Sequence, residues 1–258
     1  MVSIIVFIIA GILAGAGIGL VGLSAASVIT PILVAVLGFN AYEAIGIALA
    51  ADVLASLVSS ITYFKNKNID LKNGIIMMIS TMVFTYIASY FAKYIPNDTL
   101  GSISIYVTIF LGIKLIVKPI TAKKGGLNKT RSRKKQIALS IIFGALIGIV
   151  CGGIGAGGGV MLLLVLTSIL GYDLKTAVGT SVFIMAFTAL TGSVAHIIHG
   201  GTDLVAMGFC VIFALVSSRG AAVFANKTDD RKLNRVTGGF LIIFGVILIC
   251  IKLFGHVI

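Results

Sequence analysis

The residues of this 258-residue chain that are able to do chemistry are few, and their densest group has almost no side chains. The stretch CGGIGAGGGV, from Cys151 to Val160, holds six glycines in ten residues. Glycine adopts φ > 0 without steric cost and lets a ligand or another backbone come close, so this stretch predicts an unwound loop between two apolar segments. Freed N–H groups there, with the start of the short helix that follows, make an anion site from fixed partial positive charge. Gly155, Gly157, Gly158 and Gly159 are its candidate backbone donors. No Lys-Ser or Lys-Thr follows the glycines, which excludes a Walker-type phosphate loop. Close helix packing is the competing explanation of glycine in an apolar chain, and it suits the rows Gly11, Gly15, Gly19 and Gly144, Gly148, Gly152.

A related stretch, GLVGLSAAS from Gly19 to Ser27, lies near the start of the chain, with Gly22 in place of Gly155 and Ser24 adding a hydroxyl donor. Thr180 and Ser181, in AVGTSVF, stand near a predicted helix start, where hydroxyls either complete an oxyanion cage or bond their own backbone. Asp52 is an acidic side chain near the middle of a predicted span. A carboxylate there is costly, so its candidate role is coupling to a proton, against a hydrogen-bonded structural role. Glu43, at a helix start, reads as a dipole partner, and Arg219, near a span end, as a snorkelling side chain. His196 and His199 have metal-compatible spacing, but only Asp203 stands near enough in sequence to join them, so no metal site and no cofactor are assigned. Cys151, Cys210 and Cys250 lie in apolar stretches and imply no disulfide framework. Hydrolase signatures such as HExxH and GxSxG do not occur, which argues against an enzyme.

The elements that position these residues follow from composition. Hydrophobic residues make up 59% of the chain and charged ones 11%, against about 25% charged in a soluble domain. A water-soluble domain is excluded, and the fold class is an all-α polytopic membrane protein. Apolar segments fall at 3–21, 25–37, 43–63, 73–92, 99–117, 137–153, 157–170, 175–198, 204–224 and 236–254. The segments 25–37 and 157–170 are too short for the ~20 residues a span requires. They read as broken or re-entrant, and the helix count is eight to ten. The first segment lacks a basic leader and runs on into further apolar sequence, as a retained helix does.

An offset of 133 residues aligns 11–71 with 144–204 without a gap, matching glycines, loops and a terminal Asp-Leu. Two transmembrane repeats are expected, over 1–118 and 137–258, joined by a basic linker at 119–136. The net charge is +12, and eight of the 20 Lys and Arg residues lie between Lys118 and Lys135. Such clustering fits cytoplasmic loops better than a nucleic-acid partner. With loops 64–73, 118–136 and 225–235 in the cytoplasm, both termini lie outside and the repeats are inverted. Paired short, glycine-interrupted segments in two inverted halves point to the midplane site of a secondary transporter. An anion channel and a membrane scaffold or enzyme are the alternatives.

The G-x-x-x-G-x-x-x-G-x-x-G entry of both repeats, the G-x-G-G-G loop at 155–159, A-V-G-T-S at 177–181 and H-x-x-x-G-x-x-D at 196–203 together resemble the TauE/SafE sulfite-exporter (TSUP) family. The resemblance implies a permease of the cell membrane for a small sulfur-containing anion, such as sulfite, sulfoacetate or another organosulfonate. It further implies that an ion gradient drives transport, with the glycine loops and the Thr180-Ser181 corner as the substrate cage. The implied partners are the anionic solute, the lipid bilayer and a coupling proton or cation, with assembly into a homo-oligomer left open. Where the family usually has a proline soon after its triple glycine this chain has Leu164, while Pro31 keeps that place in the first half. The first half also lacks the triple glycine and the Thr-Ser pair.

Overall fold

A computed structural model describes residues 2–96, 133–155 and 158–229, with isolated positions 99, 232, 233, 236, 239, 243 and 246. Apart from those isolated positions, the predicted segments 99–117 and 236–254, and most of the linker, lie outside the described residues. The elements are α1 (Val2–Val21), α2 (Ala26–Leu37), α3 (Ala41–Lys65), α4 (Leu71–Ala92), α5 (Arg133–Ile154), α6 (Gly158–Leu164, running into a wider turn at Val165–Ile169), α7 (Leu174–Gly200) and α8 (Leu204–Lys227). Six of them (α1, α3, α4, α5, α7 and α8) are long and apolar enough to cross a membrane. Helix α2, with 12 residues, rises only about 18 Å and spans little more than half of a ~30 Å hydrocarbon core. Helix α5 starts at Arg133, so the last linker residues continue the helix and carry their basic side chains at its start.

The helix ends repeat the offset. Asn40 caps α3 and Asp173 caps α7; Asp70 caps α4 and Asp203 caps α8, each side chain accepting first-turn backbone N–H groups that have no partner inside the helix. Each cap is 133 residues from its counterpart.

Packing repeats it too. Gly11, Gly15 and Gly19 lay the bare backbone of α1 against Cys210, Ala214 and Ser218 of α8, while Gly144, Gly148 and Gly152 lay α5 against Met77, Thr81 and Thr85 of α4. Adding 133 to one member of each pair and subtracting it from the other turns the first row of contacts into the second. Each entry helix thus packs on the last described long helix of the other half, and the exchange of partners is that of an isologous interface. Along both seams the two helices run parallel. Hydroxyls bond across them: Ser217 Oγ to Ile12 O at 2.7 Å, Thr85 Oγ1 to Gly148 O at 3.2 Å and Ser89 Oγ to Gly152 O at 3.1 Å. In lipid such close van der Waals contact and hydrogen bonding replace the hydrophobic drive between helices.

Helices α3 and α7 cross in the middle. Gly46 on α3 meets His196, and its counterpart Gly179 on α7 meets Tyr63, which makes the two helices antiparallel. The share of the most apolar window that is buried is 67% for α3 and 61% for α7, against 28% for α4 and 22% for α8, so the first pair forms the core and the second faces outward.

A side chain on a seam glycine should force the helices apart. A Cβ at Gly148 would lie 2.5 Å from Thr81 O, whereas one at Gly208 on α8 meets nothing within 4 Å. Gly148→Ala is expected to cost about 1–3 kcal/mol through overpacking, and Gly208→Ala to cost nothing. Thermal unfolding in detergent measures both, and equal midpoints for the two variants would refute the seam.

Candidate functional site

Each entry helix stops on a left-handed glycine, Gly22 at φ +71° and Gly155 at φ +72°. At the first break the N–H of Gly22 bonds to Ile18 O at 2.8 Å and that of Leu23 to Gly17 O at 3.2 Å; at the second, the N–H of Gly155 bonds to Cys151 O at 2.8 Å. These bonds close the carbonyl end of each helix in the geometry that glycine favours. A short helix follows each break, and the two breaks touch. Gly159, at the start of α6, packs on Gly22 O and the Leu23–Ser24 backbone, and Gly155 packs on Ala26 and Ile45.

Asp52 of α3 sits at this junction, fully buried. Its Oδ2 accepts from Ser24 Oγ at 2.7 Å and from the N–H of Ala25 at 3.0 Å, and its Oδ1 accepts from Ser56 Oγ at 2.7 Å. All three donors are neutral. The positive end of the α2 dipole adds a favourable field, so the start of α2 holds a carboxylate that belongs to the protein itself. The Ser24 hydroxyl also lies 3.3 Å from Gly155 O, which links the carboxylate to the other half.

The second half departs from this. The counterpart of Asp52 is Met185, and a Cβ on Gly158 would lie 3.0 Å from Cys151 Sγ and 3.3 Å from Met185 Sδ. Two sulfur atoms border the start of α6 where a carboxylate fills the start of α2. The arrangement pairs one helix start neutralised by an internal anion with one that is not. That is a binding geometry, with both Asp52 oxygens taken up by hydroxyl and N–H donors.

A family model described as "Sulfite exporter TauE/SafE" matches residues 7–248. The chain belongs to the sulfite exporter TauE/SafE family. Among its TauE/SafE-like relatives, the probable membrane transporter protein YunE of Bacillus subtilis is 25% identical over 96% of this chain and 97% of its own length. A second B. subtilis protein, the probable membrane transporter protein YdhB, is 23% identical over 88% of this chain and 90% of itself. The probable membrane transporter protein MJ0441 of Methanocaldococcus jannaschii is 28% identical over 74% of this chain and 71% of itself. No solved structure matches. With six helices able to span a bilayer among the described residues, this TauE/SafE chain is a multi-pass membrane transporter, and its relatives carry transporter names, not enzyme names.

Of the residues expected in the TauE/SafE substrate cage, the structure brings Gly22, Ser24, Gly155, Gly158, Gly159 and Ser181 together; Gly157 lies outside the described residues. Ser181 borders Gly22 and donates to Val178 O in its own helix at 2.8 Å. Thr180 faces another way, accepting the N–H of Asp70 at 3.0 Å, because consecutive residues on a helix point about 100° apart. Asp52 joins the cage itself, and Ser24 gives its hydroxyl to Asp52. Ser56 is a candidate that sequence reasoning missed, bonded to Asp52; its i+4 spacing on one helix was the available signal. His196 and His199 diverge, His196 buried among backbone carbonyls and His199 at 5.3 Å from the Tyr90 ring. Arg219 is exposed, and Glu43 lies in the first turn of α3.

At the end of the bundle where Thr180 points, a cleft of about 530 Å³ is lined by Ile69 to Lys72, Tyr172, Asp173 and Thr176. Tyr172 donates its hydroxyl to Asp70 Oδ2 at 2.7 Å, tying the cap of α4 to the turn before α7. Burial pushes the Asp70 carboxyl up, but bonds from Tyr172, from the Asn73 side chain and backbone and from the Lys72 backbone outweigh it and hold the group below the usual carboxylate range. Burial and the facing carboxylate raise the Tyr172 hydroxyl. Asp70→Ala removes the cap and the tie together, at an expected cost of about 1–2 kcal/mol at neutral pH. Since the folded value is depressed, this contribution is complete above the ordinary carboxylate pKa and fades as the pH falls through the folded one. Unfolding midpoints of the two proteins should therefore converge in acid; a gap independent of pH would show that the Asp70 charge plays no part.

Proposed function

We propose that this transporter carries a small sulfur-containing anion, such as sulfite, sulfoacetate or another organosulfonate, across the cytoplasmic membrane by alternating access. The observation that supports this most directly is the contact between the two helix breaks, with Ser24 bonded to Asp52 on one side and Gly155 on the other. Anions bind at helix starts through oriented N–H groups, and broken helices are the membrane form of that device. The printed family name, sulfite exporter, supports the substrate class. Antiparallel α3 and α7, which occupy equivalent places in the two halves, support inverted repeats, with the loops at 64–73, 118–136 and 225–235 cytoplasmic and both termini outside.

Asp52 is the coupling residue in this reading. Ionised, it holds the α2 start and repels a second anion nearby; protonated, it loses that repulsion and lets the substrate share the junction. Anion and proton then move together, and an inward proton gradient should drive accumulation.

Purified protein in vesicles, given radiolabelled sulfite, sulfoacetate and other sulfonates with and without a pH gradient, tests the proposal. Asp52→Asn should retain downhill exchange but lose its acceleration by the gradient. Gly158→Val, which drives a side chain into Cys151 and Met185, should lower flux at least about tenfold, equivalent to about 1.4 kcal/mol in the barrier, with insertion unchanged. Absence of saturable flux for every anion in the panel would overturn the substrate class.

A further inference from the structure

His196 faces two acceptors. Its Nδ1 lies 3.2 Å from Tyr42 O and its Nε2 3.0 Å from Gly152 O, with the side chain fully buried between α3, α5 and α7. A neutral imidazole has one N–H and one bare lone pair, so it satisfies one carbonyl and turns a lone pair toward the other oxygen; an imidazolium donates to both.

Two further features stabilise that charged form against the cost of burying it. Gly152 lies in the last turn of α5, at the negative end of that helix dipole, where a cation is stabilised. The Tyr42 ring lies 4.1 Å from the imidazole, centroid to centroid, and offers a π-face to a cation. Ionisable groups nearby are Tyr42 and the half-buried Glu43 on α3, Cys151 beside Gly152 on α5, and His199 one turn along α7. Beyond His199 on α4 stand Tyr90 and Lys93, the latter 4.3 Å from the Tyr90 ring centre.

The first half shows what a fixed version of this contact looks like. Tyr63, the counterpart of His196, donates its hydroxyl to Gly19 O at 3.0 Å, and Gly19 is the counterpart of Gly152. A phenol makes that single bond at every physiological pH. Equivalent carbonyls in the two entry helices, each three residues before a break, therefore meet a phenol in one half and, in the other, a titratable imidazole beside the Ser89 hydroxyl.

We propose that His196 is a proton-binding site of the transport cycle: as imidazolium it ties α3 to the end of α5 through both ring nitrogens, and on losing its proton it releases one of the two. Only its link to flux rests on the transport reading above. The Gly152 carbonyl lies three residues before the second break and keeps its Ser89 bond, so release of one ring nitrogen loosens α7 there against α3 or α5 while the first break keeps its phenol.

Two measurements decide it. In detergent-solubilised protein with ¹⁵N-labelled histidine, assigned with His199→Asn and His256→Asn, the His196 nitrogens should pass from the imidazolium to the neutral pattern between about pH 5 and about pH 8; a ring neutral throughout would overturn the proposal. In vesicles, His196→Tyr copies the first half, keeping the Gly152 bond without the proton. Its flux should lose at least about tenfold of the wild-type variation over those three pH units, within the tenfold per unit a single group can impose. An unchanged pH profile in this variant would also overturn the proposal. Should His196→Tyr fail to fold, or should wild type move none of the anions offered, the ¹⁵N titration still decides the proton site, while the second outcome counts against the substrate reading alone.

Discussion

Everything in this fold depends on two places where backbone lies against backbone. Lipid gives helices little hydrophobic reason to associate, so contact distance and hydrogen bonds must hold them. Glycine rows on α1 and α5 bring the neighbouring helix close enough for serine and threonine hydroxyls to reach its carbonyls. Each seam joins one half to the other, so the two seams together clamp α3 and α7 between them. The same closeness brings the two breaks together, where Ser24 links Gly155 of one to the buried Asp52 carboxylate.

Where the 133-residue correspondence holds, it builds scaffold: the caps, the glycine rows, the paired breaks. Where it lapses, polar and titratable side chains stand without a like counterpart. Asp52 answers to Met185, Ser24 to Gly157 and Tyr63 to His196. A fully symmetric frame offers two equal places to an anion or a proton, whereas a carrier with defined coupling requires that they differ. In this chain the differences are single side chains on a shared backbone plan, and each changes which groups are charged or which donate hydrogen bonds.

Much of this was legible beforehand because it rests on local rules. Span length, the short segments, the caps and the glycine spacing all depend on neighbours within a few residues, and the helix bounds fall close to the apolar segments. The cage was only partly legible. Nothing local joins Ser24 to Asp52 across 28 positions, or His196 to the Gly152 carbonyl across 44. Such pairs exist because the seams set helix register, and register is a tertiary property. Thr180 illustrates the reverse: next to Ser181 in sequence, it faces a different part of the bundle, since a shared motif does not mean a shared direction on a helix.

The cross-half seams also order the protein's biosynthesis. Helix α5 emerges when its partner α4 is already made, but the glycine face of α1 waits for α8, roughly 200 residues later; at about 5–20 residues per second that is about 10–40 s in which the first helix stays in the bilayer without its mate. During that interval α1 presents glycine and alanine to lipid, a surface that neither exposes much polar backbone nor offers a wrong partner a large hydrophobic grip. The row that later permits close backbone contact thus serves first as an inert face, and the bundle closes only once the last seam helix has been made.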